Sequence, residues 1–504
     1  MKYSLRSLLK LAFLSLLIFT NIACKSSTQP NVIYILADDL GIGDVSAYNP
    51  DSKIKTQHID QLAAEGVRFT DAHSGSAVCT PTRYGILTGR YSWRGSLKKG
   101  VTWSYDKPII EEGRLTVAQM LQDNGYETAC IGKWHLGMNW ADSTGKWPVD
   151  FDKPLVNSPN SNGFDYFFGI PASLDIPPYV YVENGHVTGQ PNRLTEDKSD
   201  YGWWRLGPTG EDFEHTEVLP TFFEKAKNFI AQKREKPFFL YLPLSAPHTP
   251  ILPDSQSRGG SKLSEYGDFV LMVDKLVGDL LAELKAQGLD ENTLIIFTSD
   301  NGCAPYADTE GMEAQGHFSS LNYRGYKADI YEGGHRIPLI MKWADHFEEG
   351  GVISETNCLT DFIATMADLL KIKLPDNAAE DSFSLMPLLT KEGEFKREST
   401  IHHSVNGNFA YRKGDWKLIM APGSGGWSFP KPGQEPDGTP EFQLYNLKDD
   451  IAETKNLVKQ DTLRFQELKS ELGIEIRNGR SNPGIAQPYV KVDNWPGLAW
   501  LELE

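Results

Sequence analysis

Four stretches of the chain share one pattern, an apolar run that stops abruptly at polar residues. "NVIYIL" stops at Asp38 and Asp39, and "YETACIG" stops at Lys133, Trp134 and His135. "PFFLYLPL" leads through "SAPH" to His248, while "TLIIFTS" stops at Asp300 and Asn301. Near-continuous apolar runs of this length suit strands buried on both faces, as in a parallel sheet. Helical patterns lie between them. "HIDQLAAEGV" ends in Gly66 at a C-cap position, Thr116 caps "VAQMLQDNG", and "SEYGDFVLMVDKLVGDLLAELKAQG" is a long amphipathic stretch ending in Gly288. Strands alternating with helices predict an α/β fold. Ligands in that architecture sit at the carboxyl ends of the strands, where all four polar clusters fall, so one shared site is expected.

Residues 139–215 break the pattern. Trp140, Trp147, Tyr179, Tyr181, Trp203 and Trp204 stand there amid Pro, Gly and Asn, which predicts a long excursion over the sheet's polar edge. After about residue 395 the pattern changes to short strand-like pieces, "NFAYRKGDWKLIM" and "FQLYNLKDD", and then a helix near "DTLRFQELKSELG". The expected organisation is a main domain over 31–395 and a small C-terminal subdomain over 396–504.

The first residues follow a different rule. Lys2, Arg6 and Lys10 precede the apolar run "LAFLSLLIF" and then "TNIAC", which reads as an export signal over 1–23 followed by a short tether over 24–30. That run is too short to span a bilayer. Ala23 before Cys24 resembles the cleavage box of a bacterial lipoprotein, with Cys24 becoming the lipidated first residue, although Asn21 departs from the usual aliphatic residue. An ordinary signal peptide with a leftover cysteine is the other reading. Export to the periplasm or cell surface is expected on either, with the membrane met only through a lipid on Cys24. The mature chain then has 47 basic residues against 67 acidic ones, a formal charge of −20, which argues against nucleic acid as a partner. Five cysteines do not make a disulfide-built fold.

Asp38, Asp39, Asp300 and Asn301 offer only oxygen, which suits a hard cation such as Ca²⁺ or Mg²⁺ and not zinc. Three converging carboxylates would repel one another without one. Cys79 stands in "SGSAVCTPTRYGILTGR", with Pro81 in a plausible first helical turn and Gly89 just past the end. A cysteine at a helix N-terminus, with Arg83 one turn along, occupies an anion-binding position. It reads either as a nucleophile or as a buried structural thiol. Lys133, His135, His248 and Lys327, with Arg83, can surround a tetrahedral anion and move its protons.

Together these residues resemble the formylglycine-dependent sulfatases of the alkaline phosphatase superfamily. "CTPTRYGILTGR" is similar to that family's modification signature, and "ILADDLGIGDVSAY", "TACIGKWHLG", "NGFDYFFGIPASLDIPPYVYVENG", "SAPHTP", "SDNG", "GYKADIYEGGHRIP" and "LYNLKDDIAETKNL" follow in the family's order. The resemblance implies an alkaline-phosphatase-like mixed sheet between helices with a smaller C-terminal antiparallel sheet. It implies that a maturation enzyme converts Cys79 to Cα-formylglycine, whose hydrate attacks sulfur and whose second hydroxyl allows sulfate to be expelled. Asp38, Asp39, Asp300, Asn301 and the modified Cys79 would hold the cation, usually calcium. Arg83 would steady the hydrate, Lys133 and Lys327 would bind sulfate oxygens, His248 would protonate the leaving alcohol and His135 would serve as base.

An exported chain rich in aromatic residues fits a sulfated glycan, because Trp and Tyr faces stack on sugar rings. Trp203, Trp204, Arg205, His215, His402 and His403 are the candidate substrate contacts. The rival readings are a phosphodiesterase or phosphonate monoester hydrolase of the same superfamily, a silent glycan-binding lipoprotein, and a Cys-His hydrolase.

Overall fold

The computed structural model describes residues 29–488 and 496–501. The export signal and Cys24 lie outside the described residues. Among the described residues no helix is long and apolar enough to cross a membrane.

The four apolar runs form the centre of a ten-stranded sheet: β1 (Asn31–Asp38), β2 (Glu127–Lys133), β3 (Phe238–Pro247) and β4 (Thr293–Ser299), adjacent in the order β4-β1-β3-β2. All three pairings are parallel. β1 shows why its run is continuously apolar. Ile33, Ile35 and Ala37 enter the core on one face, and Val32, Tyr34 and Leu36 enter the core on the other. The sheet is mixed, because Leu339–Lys342 joins β4 antiparallel and Val67–Phe69 follows it.

The helices divide between the faces. α1 (Gln57–Ala64), α4 (Val218–Ile230) and α5 (Glu265–Ala286) bury their apolar stripes with Ile33 and Ile35. α2 (Cys79–Thr88), α3 (Val117–Asp123) and α6 (Phe362–Leu369) pack on the opposite face. Thr116 caps α3 by accepting from Gln119 N–H, as its position predicts. Gly66 lies one residue beyond the C-cap of α1. The helix is capped at Glu65, and Gly66 is needed because a Cβ there would lie 2.6 Å from the Met341 carbonyl oxygen.

The stretch 139–215 is only partly an excursion. Tyr166–Ile170 pairs parallel with β2 and extends the main sheet, a strand whose five residues are too short to show against flanking Gly and Asn. The rest carries the hairpin of Pro191–Asp197 and Trp204–Gly210.

The C-terminal sheet is antiparallel in the order β5 (Ser399–His403), β6 (Phe409–Lys413), β7 (Trp416–Ile419) and β8 (Gln443–Asn446). α7 (Thr462–Arg477) covers it with Phe465, Leu468, Leu472 and Ile476. A buried polar network joins the two sheets. Lys417 Nζ lies 2.9 Å from Glu332 and 2.8 Å from Glu453, and Glu332 N–H donates to Glu453 at 2.7 Å.

Candidate active site

The ends of β1 to β4 lie on one edge of the sheet and carry the polar clusters together. Turning the chain there forces three non-glycine residues into the left-handed region: Asp39 (φ 65°), His135 (φ 58°) and Ala328 (φ 77°), next to Lys327. Each such residue costs about 1–3 kcal/mol and persists only where its surroundings impose it.

α2 begins at Cys79, with Val78 as its N-cap, and ends on left-handed Gly89 (φ 64°). Arg83, one turn further, is fully buried. It donates from Nε and Nη2 to Asp300 Oδ2 at 3.1 and 2.7 Å, and from Nη1 to the Lys133 carbonyl at 2.9 Å. Lys133 Nζ lies 2.5 Å from Asp38 Oδ2 and 3.3 Å from Ser173 Oγ, while Lys327 Nζ is 2.7 Å from the Asp39 carboxylate.

The oxygen ligand set converges beneath these cations. Cys79 Sγ and one oxygen each of Asp38 and Asp300 lie within 4.8 Å of one another. Asn301 Nδ2 donates to Asp39 Oδ1 at 2.7 Å, and this leaves Asn301 Oδ1, like Asp38 Oδ1, buried with no hydrogen-bond partner. Orphaned acceptor oxygens among three carboxylates fit a hard cation. The electrostatics agree. Burial opposes charge on Asp38, but Lys133, His248 and Arg83 hold its carboxyl well below the usual carboxylate range. Burial and the Asp38 charge push Asp300 up to about 7. The lysines and Arg83 alone therefore do not keep all the acids ionised, and a bound cation would.

The histidines differ in hydrogen bonding. His135 Nε2 lies 2.8 Å from the Thr102 carbonyl, which can only accept, so Nε2 carries the proton. Nδ1 is buried without a partner, and burial with the Lys133 and Arg83 charges holds the imidazole neutral. His248 donates from Nδ1 to the Thr249 carbonyl at 2.5 Å, and its Nε2 is 3.4 Å from the Tyr306 hydroxyl. Burial and Lys327 push its pKa down. Burial pushes the Cys79 thiol up, which disfavours a resting thiolate.

A cavity of about 430 Å³ opens onto Cys79, His135, His248 and Lys327. Of the candidate substrate contacts, Trp203 and Arg205 line it, and Trp204, His215, His402 and His403 do not. His215 is buried face to face with Trp204 at 3.9 Å, away from the cavity wall, and burial takes its pKa down to about 3. His402 and His403 belong to β5, which packs into the main domain. His402 donates to the Ser74 carbonyl at 3.1 Å and stacks on His335 at 3.9 Å, while His403 lies edge-on to Phe409. His73, His335 and His402 are close enough to suggest a second metal site. Their nitrogens are instead engaged by Asp71, Ile330, Ser74, Thr400 and one another, and Lys417 lies 3.2 Å from His335 Nε2.

Sequence reasoning passes over Ser173, between Lys133 and His248, and Tyr306, whose hydroxyl donates to Asp39 at 3.0 Å. It also passes over Trp103, Asp175 and Trp427 in the cavity wall. Ser173 and Asp175 stand in the motif "NGFDYFFGIPASLDIPPYVYVENG"; Trp103 and Trp427 carry no local signal.

Comparison with known proteins gives the same answer over most of the chain. Residues 30–372 match the sulfatase family profile. An N-acetylgalactosamine-6-O-sulfatase of Bacteroides thetaiotaomicron is 36% identical over 491 residues, covering 89% of this chain and 93% of the relative. Human arylsulfatase A is 33% identical over 420 residues, covering 80% and 77%. A solved structure from the work on glycosaminoglycan metabolism by Bacteroides thetaiotaomicron superposes with a TM-score of 0.79 at 34% identity, covering 88% of this chain and 98% of that one. The chain is a sulfuric ester hydrolase of the alkaline-phosphatase-like superfamily and belongs to the sulfatase family.

Proposed function

We propose that this protein is exported and removes a sulfate ester from a sugar ring of a sulfated glycan, using Cα-formylglycine made from Cys79 and a bound Ca²⁺. One observation carries this reading: Cys79 opens onto a cavity lined by His135, His248 and Lys327, and its Sγ lies within 4.8 Å of the Asp38 and Asp300 carboxylates, the first of which is held by the buried Lys133. In the bound state the cation and the hydrated aldehyde supply the charge neutralisation and the nucleophilic oxygen. The chain's own residues do the rest. Lys133 and Lys327 are positioned to exchange their carboxylate partners for sulfate oxygens, which form charge-assisted hydrogen bonds. His135 presents an unprotonated Nδ1 as base, and its Nε2–H bond to Thr102 fixes that tautomer. His248, at the cavity wall, donates a proton to the leaving alcohol, and the charge of an arriving sulfate ester raises its lowered pKa toward that task. Trp203 and Arg205 contact the sugar. The Bacteroides relative's name makes 6-O-sulfated N-acetylgalactosamine the first substrate to try.

The test has two parts. Protein made with a maturation enzyme should give a Cys79 peptide in which oxygen replaces sulfur with loss of two hydrogens, and this peptide should react with a hydrazine. The same preparation should favour an aryl sulfate over an aryl phosphodiester in kcat/KM by at least ~100-fold. A phosphodiester preference would move the assignment to the phosphodiesterases of the superfamily. A free thiol, with maturation verified on a second sulfatase, would leave a silent binder or a thiol hydrolase.

A further inference from the structure

The cavity beyond the sulfate-handling residues has a charge pattern of its own. Its outer wall carries the carboxylates Asp175 and Asp200, one cation, Arg205, and the indoles Trp103, Trp203 and Trp427. The lone cation is already neutralised. Arg205 Nη1 is paired with Asp175 Oδ2, and its guanidinium lies between Trp203 and Trp103, 4.6 and 5.0 Å from the ring centres. Asp175 and Arg205 are further braced by the Tyr179 hydroxyl, which lies 3.1 Å from the Asp175 carbonyl and 2.6 Å from the Arg205 carbonyl. Asp175 is only 7% exposed, and its second oxygen, Oδ1, has no hydrogen-bond partner.

Resting on the sulfatase reading above, we infer that this outer wall selects a ring whose only charge is the ester to be cut, with Asp175 as the specificity-determining residue. Asp175 lines the cavity as a buried carboxylate, which can only accept hydrogen bonds, as from a ring hydroxyl or amide. It repels a second sulfate or a carboxylate on the same ring. The indoles offer flat apolar surface to the ring faces, which tolerate no charge but welcome C–H groups. A site for doubly charged rings would have unpaired arginine or lysine in this wall, because each buried anion needs a partner. Here the wall has two acids to one base.

The test compares sulfate release from N-acetylgalactosamine 6-sulfate and N-acetylgalactosamine 4,6-disulfate, with 4-nitrophenyl sulfate as the control for the chemistry. The wild-type enzyme should show a kcat/KM at least ~10-fold lower on the disulfate. Asp175→Asn, which removes the charge and frees Arg205, should narrow that ratio to about threefold or less. The exposed Asp200→Asn should narrow it in the same direction by a smaller factor and keeps the comparison open if the first variant does not fold. Equal wild-type rates on the two sugars, or a ratio unmoved in a folded Asp175→Asn enzyme, would overturn the inference while leaving the sulfatase reading intact. No release from any of the three by protein carrying the aldehyde would overturn both.

Discussion

At the residue scale the decisive contrast is between the two histidines of the cavity. His135 is neutral with its free nitrogen at Nδ1, whereas His248 is tied through Nδ1 to a carbonyl and reaches the cavity with Nε2. Substituting His135→Ala removes the free nitrogen without stranding a charge, because the ring it replaces is neutral. Sulfate turnover should fall about 10²- to 10⁴-fold. The peptide mass at Cys79 should be unchanged and the urea midpoint should shift little, so activity and folding read separately. Asp38, Asp39, Lys133, Asp300 and Asn301 could be grouped from the sequence because each stands where an apolar run breaks, whereas Cys79, Arg83 and Lys327 stand out only within longer motifs. Trp103, Tyr306 and Trp427 were not legible, because they reach the cavity from loops whose course depends on tertiary packing. His215, His402 and His403 fall away from the cavity wall. A histidine looks the same in sequence whether it faces a cavity or a core; all five candidate histidines are buried, and only His135 and His248 line the cavity.

At the element scale the central strands were the most readable part of the chain, since an unbroken six-residue apolar run such as 32–37 in β1 has few other uses. Short strands added at the sheet edge, such as Tyr166–Ile170, bury too few residues to stand out. What ties the second sheet to the first was invisible, because Lys417 on β7 meets Glu332 and Glu453 across 85 and 36 positions of sequence, and only folding brings them together. All three are buried. Burial and Lys417 set the two acids apart, with Glu332 held low and Glu453 pushed up to about 7. Lys417→Met removes the cation and strands the acids, so stability should fall by about 3–5 kcal/mol. Urea unfolding followed by tryptophan fluorescence measures this, and a loss under ~1 kcal/mol would show the network to be dispensable.

At the scale of the whole molecule, charge and burial set the response to solution conditions. Seven histidines are held below their ordinary pKa, chiefly by burial. The unfolded chain takes up these protons near pH 6.5 and the folded chain does not, so stability is lost as pH falls below that value. The slope is at most about 1.4 kcal/mol per pH unit for each histidine. Six acids held up by burial, Asp300 and Glu453 at about 7 with Asp274, Asp329, Asp361 and Glu475 also raised, act in the opposite direction but are fewer. The urea midpoint should therefore drop between pH 6.5 and 5, and a flat profile would contradict the burial. The acidic excess, −17 for the full sequence, repels a polyanion until salt screens it, so kcat/KM on a sulfated polymer should rise with modest NaCl. A steady fall from the lowest salt would count against this. The small sheet has one more consequence. Val405 and Trp427, from its loops, complete the cavity wall, yet both lie beyond residue 372, where the family match ends. Part of the cavity lip is therefore written in a stretch of the gene apart from the residues proposed to handle sulfate, while Trp103, Trp203 and Arg205 share theirs. Exchange of the 404–441 segment between relatives would change what the enzyme accepts and leave its chemistry as inherited.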